Sequence, residues 1–143
     1  MVYADSSVLV SLVMRDSNSD SATEMTAEGG RKFVFTKLLE LEVSNAIRLA
    51  VGTGRMNEAE GMLSQRRMES FRSGGTWQEV ELDWLRVFDR AMALSRGHSS
   101  VLKARSLDIL HVASALELGA RNFWSFDKRQ RALAVELGLN VNP

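Results

Sequence analysis

Residues 106–120 read SLDILHVASALELGA, and this stretch is apolar on nearly every side. The pattern predicts a helix buried inside the protein, with Ser106 as its cap and Gly119 as its stop. A strand follows at residues 122–126, and a helix at residues 128–137. Helix, strand and helix in this order indicate an α/β protein with a parallel sheet.

The rest of the chain continues this alternation. Strands are predicted at residues 2–4, 33–35, 80–82 and 139–141, and helices at residues 8–14, 16–30, 38–51, 57–71 and 84–95. Because parallel strands need crossovers of a dozen or more residues, we expect helices on both faces of a central sheet. The 143 residues fit one domain. Within the helix at 57–71, the predicted apolar face is Ala59, Met62, Leu63 and Phe71.

Composition and charge exclude several classes of protein. The 18 basic and 18 acidic residues balance, so no overall field attracts nucleic acid or membrane. Residues 1–83 hold 9 basic and 13 acidic residues and residues 84–143 hold 9 and 5, which predicts regions of opposite sign unless the charges are scattered at random. The absence of cysteine excludes disulfides, zinc–thiolate sites and thiol nucleophiles. No apolar run approaches a membrane span and no basic leader precedes Asp5, so we expect a cytoplasmic protein.

Two aspartates take positions where ligands bind in parallel sheets, beyond the carboxyl ends of strands, and a third opens the buried helix. Asp5 follows the first strand, Asp127 follows the strand at 122–126, and Asp108 lies in the first turn of the buried helix. Each of them alone also has an ordinary explanation as a loop residue or as a partner of the helix dipole.

Glu42 has Leu38, Leu39 and Ala46 as helical neighbours, which is a mostly apolar face. Glu40, two residues earlier, lies beside Lys37 and can reach water. Because burying a carboxylate without a partner costs several kcal/mol, an inward Glu42 needs a cation, a metal ion or a raised pKa. An ion pair with a core-facing arginine is the alternative to a metal.

Four acids at such positions, in a chain without cysteine, suit a hard divalent cation such as Mg²⁺ or Mn²⁺. Such an ion neutralises carboxylates that would otherwise repel one another, and it lowers the pKa of a bound water. Hydrolysis of phosphodiesters is the chemistry that this arrangement most often serves.

Four segments, in their order and spacing, resemble the PIN-domain family, and especially its VapC-type ribonuclease toxins. They are YADSSVLV, LLELEVSNAI, RSLDILHVASALELGA and NFWSFDKRQRALAVELGL. The resemblance implies an α/β/α sandwich of three layers with a central parallel sheet, and an acidic pocket that binds magnesium or manganese. The pocket acids fall on Asp5, Glu42, Asp108 and Asp127.

Weaker candidates surround these acids. The resemblance places a hydroxyl at Ser6, beside Ser7, and another at Ser125, where the family often has threonine. Arg105 and a basic cluster beside Asp127 could hold RNA phosphates, because arginine pairs bidentately with phosphate oxygens. The cluster consists of Lys128, Arg129 and Arg131, and a solvated helix face is the alternative for it. His111 and the tryptophans Trp77, Trp84 and Trp124 are expected to pack rather than to bind.

The hypothesis is therefore a metal-dependent endoribonuclease that hydrolyses RNA phosphodiester bonds. By resemblance it is the toxin of a type II toxin–antitoxin pair, a homodimer that its antitoxin silences. One alternative is a catalytically silent PIN fold that binds RNA or protein. Another is a phosphotransfer domain with Asp5 as nucleophile, although such enzymes carry a second aspartate where this chain has Ser7.

Overall fold

A computed structural model describes residues 1–27 and 30–143. In chain order the elements are β1 (Val2–Ala4), α1 (Ser6–Val13), α2 (Ser19–Ala27), β2 (Phe33–Phe35), α3 (Lys37–Gly52), α4 (Glu58–Ser73), β3 (Trp77–Glu79), α5 (Trp84–Leu102), α6 (Ser106–Glu117), β4 (Asn122–Trp124), α7 (Lys128–Glu136) and β5 (Asn140–Asn142). They form two compact units. The first comprises Met1–Asp5 and Glu81–Pro143, and the second comprises Ser6–Val80. None of the helices in the described part is long and apolar enough to cross a bilayer.

The first unit contains three parallel strands, with β4 between β1 and β5. Tyr3 of β1 stacks on Phe123 of β4, with ring centroids 5.7 Å apart, and both side chains are fully buried. Helix α6 is buried at every position from Asp108 to Ala115, as its sequence predicts. Because β1 and β4 run parallel, the residues that follow them emerge at the same edge.

The second unit contains the parallel pair β2 and β3, with helices α1 to α4. Trp77 of β3 stacks on Phe35 and on Phe71, with ring centroids 5.0 Å away in each case. Thr36 follows β2 and caps α3, since its hydroxyl accepts the N–H of Leu39. This cap starts the helix that carries Glu42.

Two sequence predictions in the second unit are wrong. The strand expected at residues 80–82 lies at Trp77–Glu79 instead, because the burial of Trp77 between two rings sets its position. The buried residues of α4 are Gly61, Ser64 and Met68, whereas Met62 and Leu63 are about half exposed. A side chain at Gly61 would come within 2.6 Å of Val51, so α4 packs on α3 through its small residues.

Several helix ends also differ from the prediction. Helix α5 runs to Leu102 rather than to residue 95, since one internal glycine costs a helix only about 1 kcal/mol. Helix α1 begins at Ser6, so Ser6 lies in its first turn instead of capping it from outside. The N-cap of α6 is Arg105, one residue before the predicted Ser106. Gly29 and Gly30 are predicted to end α2. Gly29 lies outside the described residues, and Gly30 has a φ of 64°.

Candidate active site

Asp5 directly follows β1 and lies beside the end of β4. Its backbone N–H donates to the carbonyl of Trp124 at 2.9 Å, which extends the pairing of β1 and β4 by one residue. Its side chain is buried, with 1% of the residue exposed. The parallel pairing therefore delivers this carboxylate to the segment between β4 and α7.

Ser125 joins two of the predicted acids. Its hydroxyl donates to Oδ2 of Asp5 at 2.8 Å and accepts the backbone N–H of Asp127 at 2.9 Å. Since a hydroxyl has one proton, the hydrogen bond to Asp5 fixes where that proton points. Ser125 is fully buried. The hydroxyl thus holds Asp5 and the Asp127 backbone in a fixed relation.

Asp127 uses its two carboxylate oxygens differently. Oδ1 caps α7, because it accepts the backbone N–H groups of Arg129 at 2.7 Å and Gln130 at 3.3 Å. Oδ2 faces the guanidinium groups of Arg105 and Arg129. The cap leaves Oδ2 as the oxygen that can serve a ligand.

Asp108 is the third residue of α6 and is 2% exposed. Its Oδ2 accepts the backbone N–H of Arg105 at 2.7 Å. Its Oδ1 accepts the side-chain amide of Gln130 at 3.4 Å. These bonds join the start of α6 to α7 at the acids.

Two guanidinium groups span Asp108 and Asp127. Arg105 lies 3.4 Å from Oδ2 of Asp108 and 3.5 Å from Oδ2 of Asp127. Arg129 lies 3.8 Å and 3.7 Å from the same two oxygens. The arginine side chains are 66% and 43% exposed, so water reaches them while it hardly reaches Asp108. The two cations offset the repulsion between the carboxylates.

Glu42 lies in the second unit, on α3, and is half-buried between the buried Leu39 and the half-buried Ala46. Glu40 is paired as the sequence predicts: its carboxylate lies 2.7 Å from Nζ of Lys37 and 3.3 Å from Arg72. The hydrogen bond from Lys37 lowers the pKa of Glu40. The expected pairing of Glu40 with Lys37 is therefore present, and both glutamates are half-buried.

The weaker candidates take varied positions. Ser6 and Ser7 are half-buried in the first turn of α1, and Lys128 is exposed. His111 is 1% exposed and lies with Nδ1 3.0 Å from the hydroxyl of Tyr3, so it packs as expected. Trp77 and Trp124 are each 1% exposed, which excludes them as base-stacking surfaces. Trp84 is half-buried.

The chemistry of these residues suits a hard divalent cation. Carboxylate and amide oxygens are the available acceptors, and they are the ligands that such ions prefer. Oε1 of Gln130 is buried and has no hydrogen-bond partner in the described part of the chain. Over residues 1–27 and 30–143, no three acidic or histidine side chains lie close enough to hold an ion as they stand. The acids that would do so are partly taken up by Arg105 and Arg129.

Gln130 is the site residue that the sequence analysis missed. It is 6% exposed and contacts Asp108 through its side chain. Its position three residues after Asp127 was a usable signal, because residues at that spacing share one face of a helix.

Comparisons with known proteins support the fold and give the family. The profile of the PIN domain family matches residues 2–136. Ribonuclease VapC46 of Mycobacterium tuberculosis (strain ATCC 25618 / H37Rv) is 30% identical over 142 residues, which cover 98% of this chain and 95% of that protein. The crystal structure of Mycobacterium tuberculosis VapC20, a sarcin–ricin loop cleaving toxin, matches with a TM-score of 0.65 and 16% identity, over 92% of this chain and 94% of that one. This likeness confirms the predicted α/β/α class with a central parallel sheet. A family match over nearly the whole chain, together with acids at the ends of β1 and β4, shows that the chain belongs to the PIN-domain family.

Proposed function

We propose that this protein is an endoribonuclease that hydrolyses RNA phosphodiester bonds. The observation that carries the proposal is the network in which Ser125 joins Asp5 to Asp127, while Arg105 and Arg129 join Asp127 to Asp108. Acids that could hold a cation therefore lie next to exposed groups that could hold phosphate. The similarity to a protein named as a ribonuclease supports the same reading.

Ribonucleases of this family generally use a divalent metal ion. We propose Mg²⁺ or Mn²⁺ for this chain, held by Asp5, Asp108 and Asp127, with Glu42 as the fourth acid. Once bound, the ion would activate water and neutralise charge on the phosphate. Ser125 would keep Asp5 and Asp127 in register, and the cap on α7 would orient Oδ2 of Asp127.

Arg105 and Arg129 have two alternative partners in this proposal. In the structure they pair with Asp108 and Asp127, at distances of 3.4 to 3.8 Å. Contacts of this length are weaker than close bidentate pairs, and a phosphodiester offers oxygens that match the guanidinium geometry. A cation on the acids would thus release both arginines to RNA.

The first test is the metal dependence of cleavage. We expect the purified protein to cut single-stranded RNA with Mg²⁺ or Mn²⁺ and to lose this activity in EDTA. Calcium should substitute poorly, because its coordination is looser and of higher number. Gel analysis of end-labelled RNA measures the result. Full activity in EDTA would contradict the metal mechanism.

A second candidate function is a PIN fold that binds RNA without cutting it. The guanidinium groups that neutralise Asp108 and Asp127 favour this reading. The same assay separates the two functions, since a silent module would shift RNA in a binding gel and leave it intact with every metal.

Replacement of Arg105 and Arg129 together should weaken the binding of RNA and strengthen the binding of Mg²⁺. In the variant with Arg105→Gln and Arg129→Gln, we expect the salt dependence of RNA binding to fall by about 1.4 in log–log slope, or about 0.7 for each lost phosphate contact. The Mg²⁺ concentration at half-maximal thermal stabilisation should decrease, because competing cations are gone. RNA binding is measured with Ca²⁺ in place of Mg²⁺, because Ca²⁺ should support little cleavage, and metal binding is measured by thermal melts with Mg²⁺ and without RNA.

Arg131→Gln is the matched control for this pair. Arg131 also lies on α7, but it donates to the carbonyl of Pro143. Its replacement tests whether the loss of any nearby positive charge tightens metal binding. Two results would contradict the proposal that Arg105 and Arg129 move from the acids to RNA. One is a double variant with the wild-type salt dependence of RNA binding, and the other is an Arg131→Gln variant whose Mg²⁺ midpoint shifts as much as that of the double variant.

We further propose that the protein is the toxin of a toxin–antitoxin pair, a homodimer that acts in the cytoplasm and that its antitoxin silences. The similarity to VapC46 and to the VapC20 toxin supports this proposal. A short neighbouring reading frame with a DNA-binding N-terminus and an extended tail would support it further. Its absence would favour a nuclease that acts alone.

A further inference from the structure

Gln130 places a buried amide among the charged groups of the site. The residue is 6% exposed. Its backbone N–H helps to cap α7 on Asp127, and its side chain reaches Asp108 on α6. It therefore contacts both acids that the arginines span.

The orientation of this amide follows from its neighbour. Oδ1 of the Asp108 carboxylate can only accept a hydrogen bond, so the amide nitrogen of Gln130 faces it at 3.4 Å. The other end, Oε1, is buried and has no hydrogen-bond partner among the described residues. A buried acceptor left in this way is unfavourable, and an explanation in terms of an ion or water is expected.

We propose that Gln130 is a positioning residue of the cation site. Its nitrogen holds Oδ1 of Asp108, and its Oε1 accepts a hydrogen bond from a water of a hydrated divalent cation held by that aspartate. The inference rests on the proposed metal-dependent function. Magnesium keeps several of its waters in proteins, so it can provide the donor that Oε1 needs without direct contact. An uncharged amide provides this acceptor without adding a further negative charge beside Asp108.

The experiment measures Mg²⁺ binding without RNA, as the Mg²⁺ concentration that gives half of the maximal rise in melting temperature. In Gln130→Leu, both hydrogen-bonding ends are lost, and we expect the midpoint to rise about 10-fold, which is typical for partners of metal ligands. In Gln130→Glu, a second carboxylate faces Asp108. We expect a lower melting temperature without metal and a Mg²⁺ midpoint below that of the wild type.

Gln65→Leu serves as the control. Gln65 lies half-buried on α4, and its replacement should leave the midpoint unchanged. If Gln130 only bridged two helices, both of its variants would melt earlier and keep the wild-type midpoint, which would overturn the inference. Should Gln130→Leu fail to fold, Gln130→Glu decides: a midpoint equal to or above that of the wild type overturns the proposal. A wild-type protein that Mg²⁺ does not stabilise would overturn the proposed metal site, and this inference with it.

Discussion

Asp127→Asn should slow RNA cleavage by at least about 100-fold and leave the stability of the protein nearly unchanged. Asparagine and aspartate are equally good N-caps, so Oδ1 can still accept the N–H groups of Arg129 and Gln130. The substitution replaces Oδ2, which faces Arg105 and Arg129, by an uncharged NH₂ group. Changes to the partners of metal ligands already cost about 10- to 100-fold, and loss of a ligand charge should cost more.

Stability is expected to change by no more than about 1 kcal/mol, because solvent screens the two ion pairs that are lost. The measurements are single-turnover cleavage with saturating Mg²⁺ and thermal melts without metal. Asp83→Asn is the matched control: Asp83 caps α5 in the same way, with its side chain accepting the N–H of Arg86. If both substitutions affected cleavage equally, or if Asp127→Asn cut at the wild-type rate, the assigned role of Asp127 would be wrong.

Glu42→Gln should reduce cleavage at least about 10- to 100-fold, whereas Glu40→Gln should be nearly silent. Both substitutions keep the shape of the side chain and remove one negative charge from the same helix. Both glutamates are half-buried, and the resemblance to the PIN-domain family selects Glu42. Glu40 is paired with Lys37 and Arg72 near the surface, where such pairs contribute about 0 to 1 kcal/mol.

Thermal melts with and without Mg²⁺ distinguish a ligand from a structural acid. If Glu42 binds the cation, Glu42→Gln should fold and should show a smaller stabilisation by Mg²⁺ than the wild type. Glu40→Gln should retain the full stabilisation. The opposite pattern, with cleavage lost only in Glu40→Gln, would show that the assigned helix face and the inferred site are wrong together.

Local patterns in the sequence were sufficient to place an element where the segment itself is almost entirely apolar. Helix α6 and strands β1 and β2 lie where they are predicted, because continuous apolar runs leave few other positions for them. The prediction failed at β3 and on α4. Stacking of Trp77 on Phe35 and Phe71 fixes the position of β3. The close approach of Gly61 to Val51 fixes which face of α4 is buried. Both depend on partners far along the chain, which periodicity does not report.

At the candidate site, too, some features follow from the local sequence and others from the tertiary structure. The sequence by itself determined that Asp5 and Asp127 follow strands and that Asp108 opens a buried helix, since each position depends on the adjacent pattern. The tertiary structure alone decided that Ser125 bonds Asp5, 120 residues away. It also decided that Arg105 reaches Asp127 and that Gln130 reaches Asp108, each across 22 residues. Hydrogen bonds and ion pairs depend on distances below about 4 Å, and between such remote residues only the packing of strands and helices brings the atoms that close.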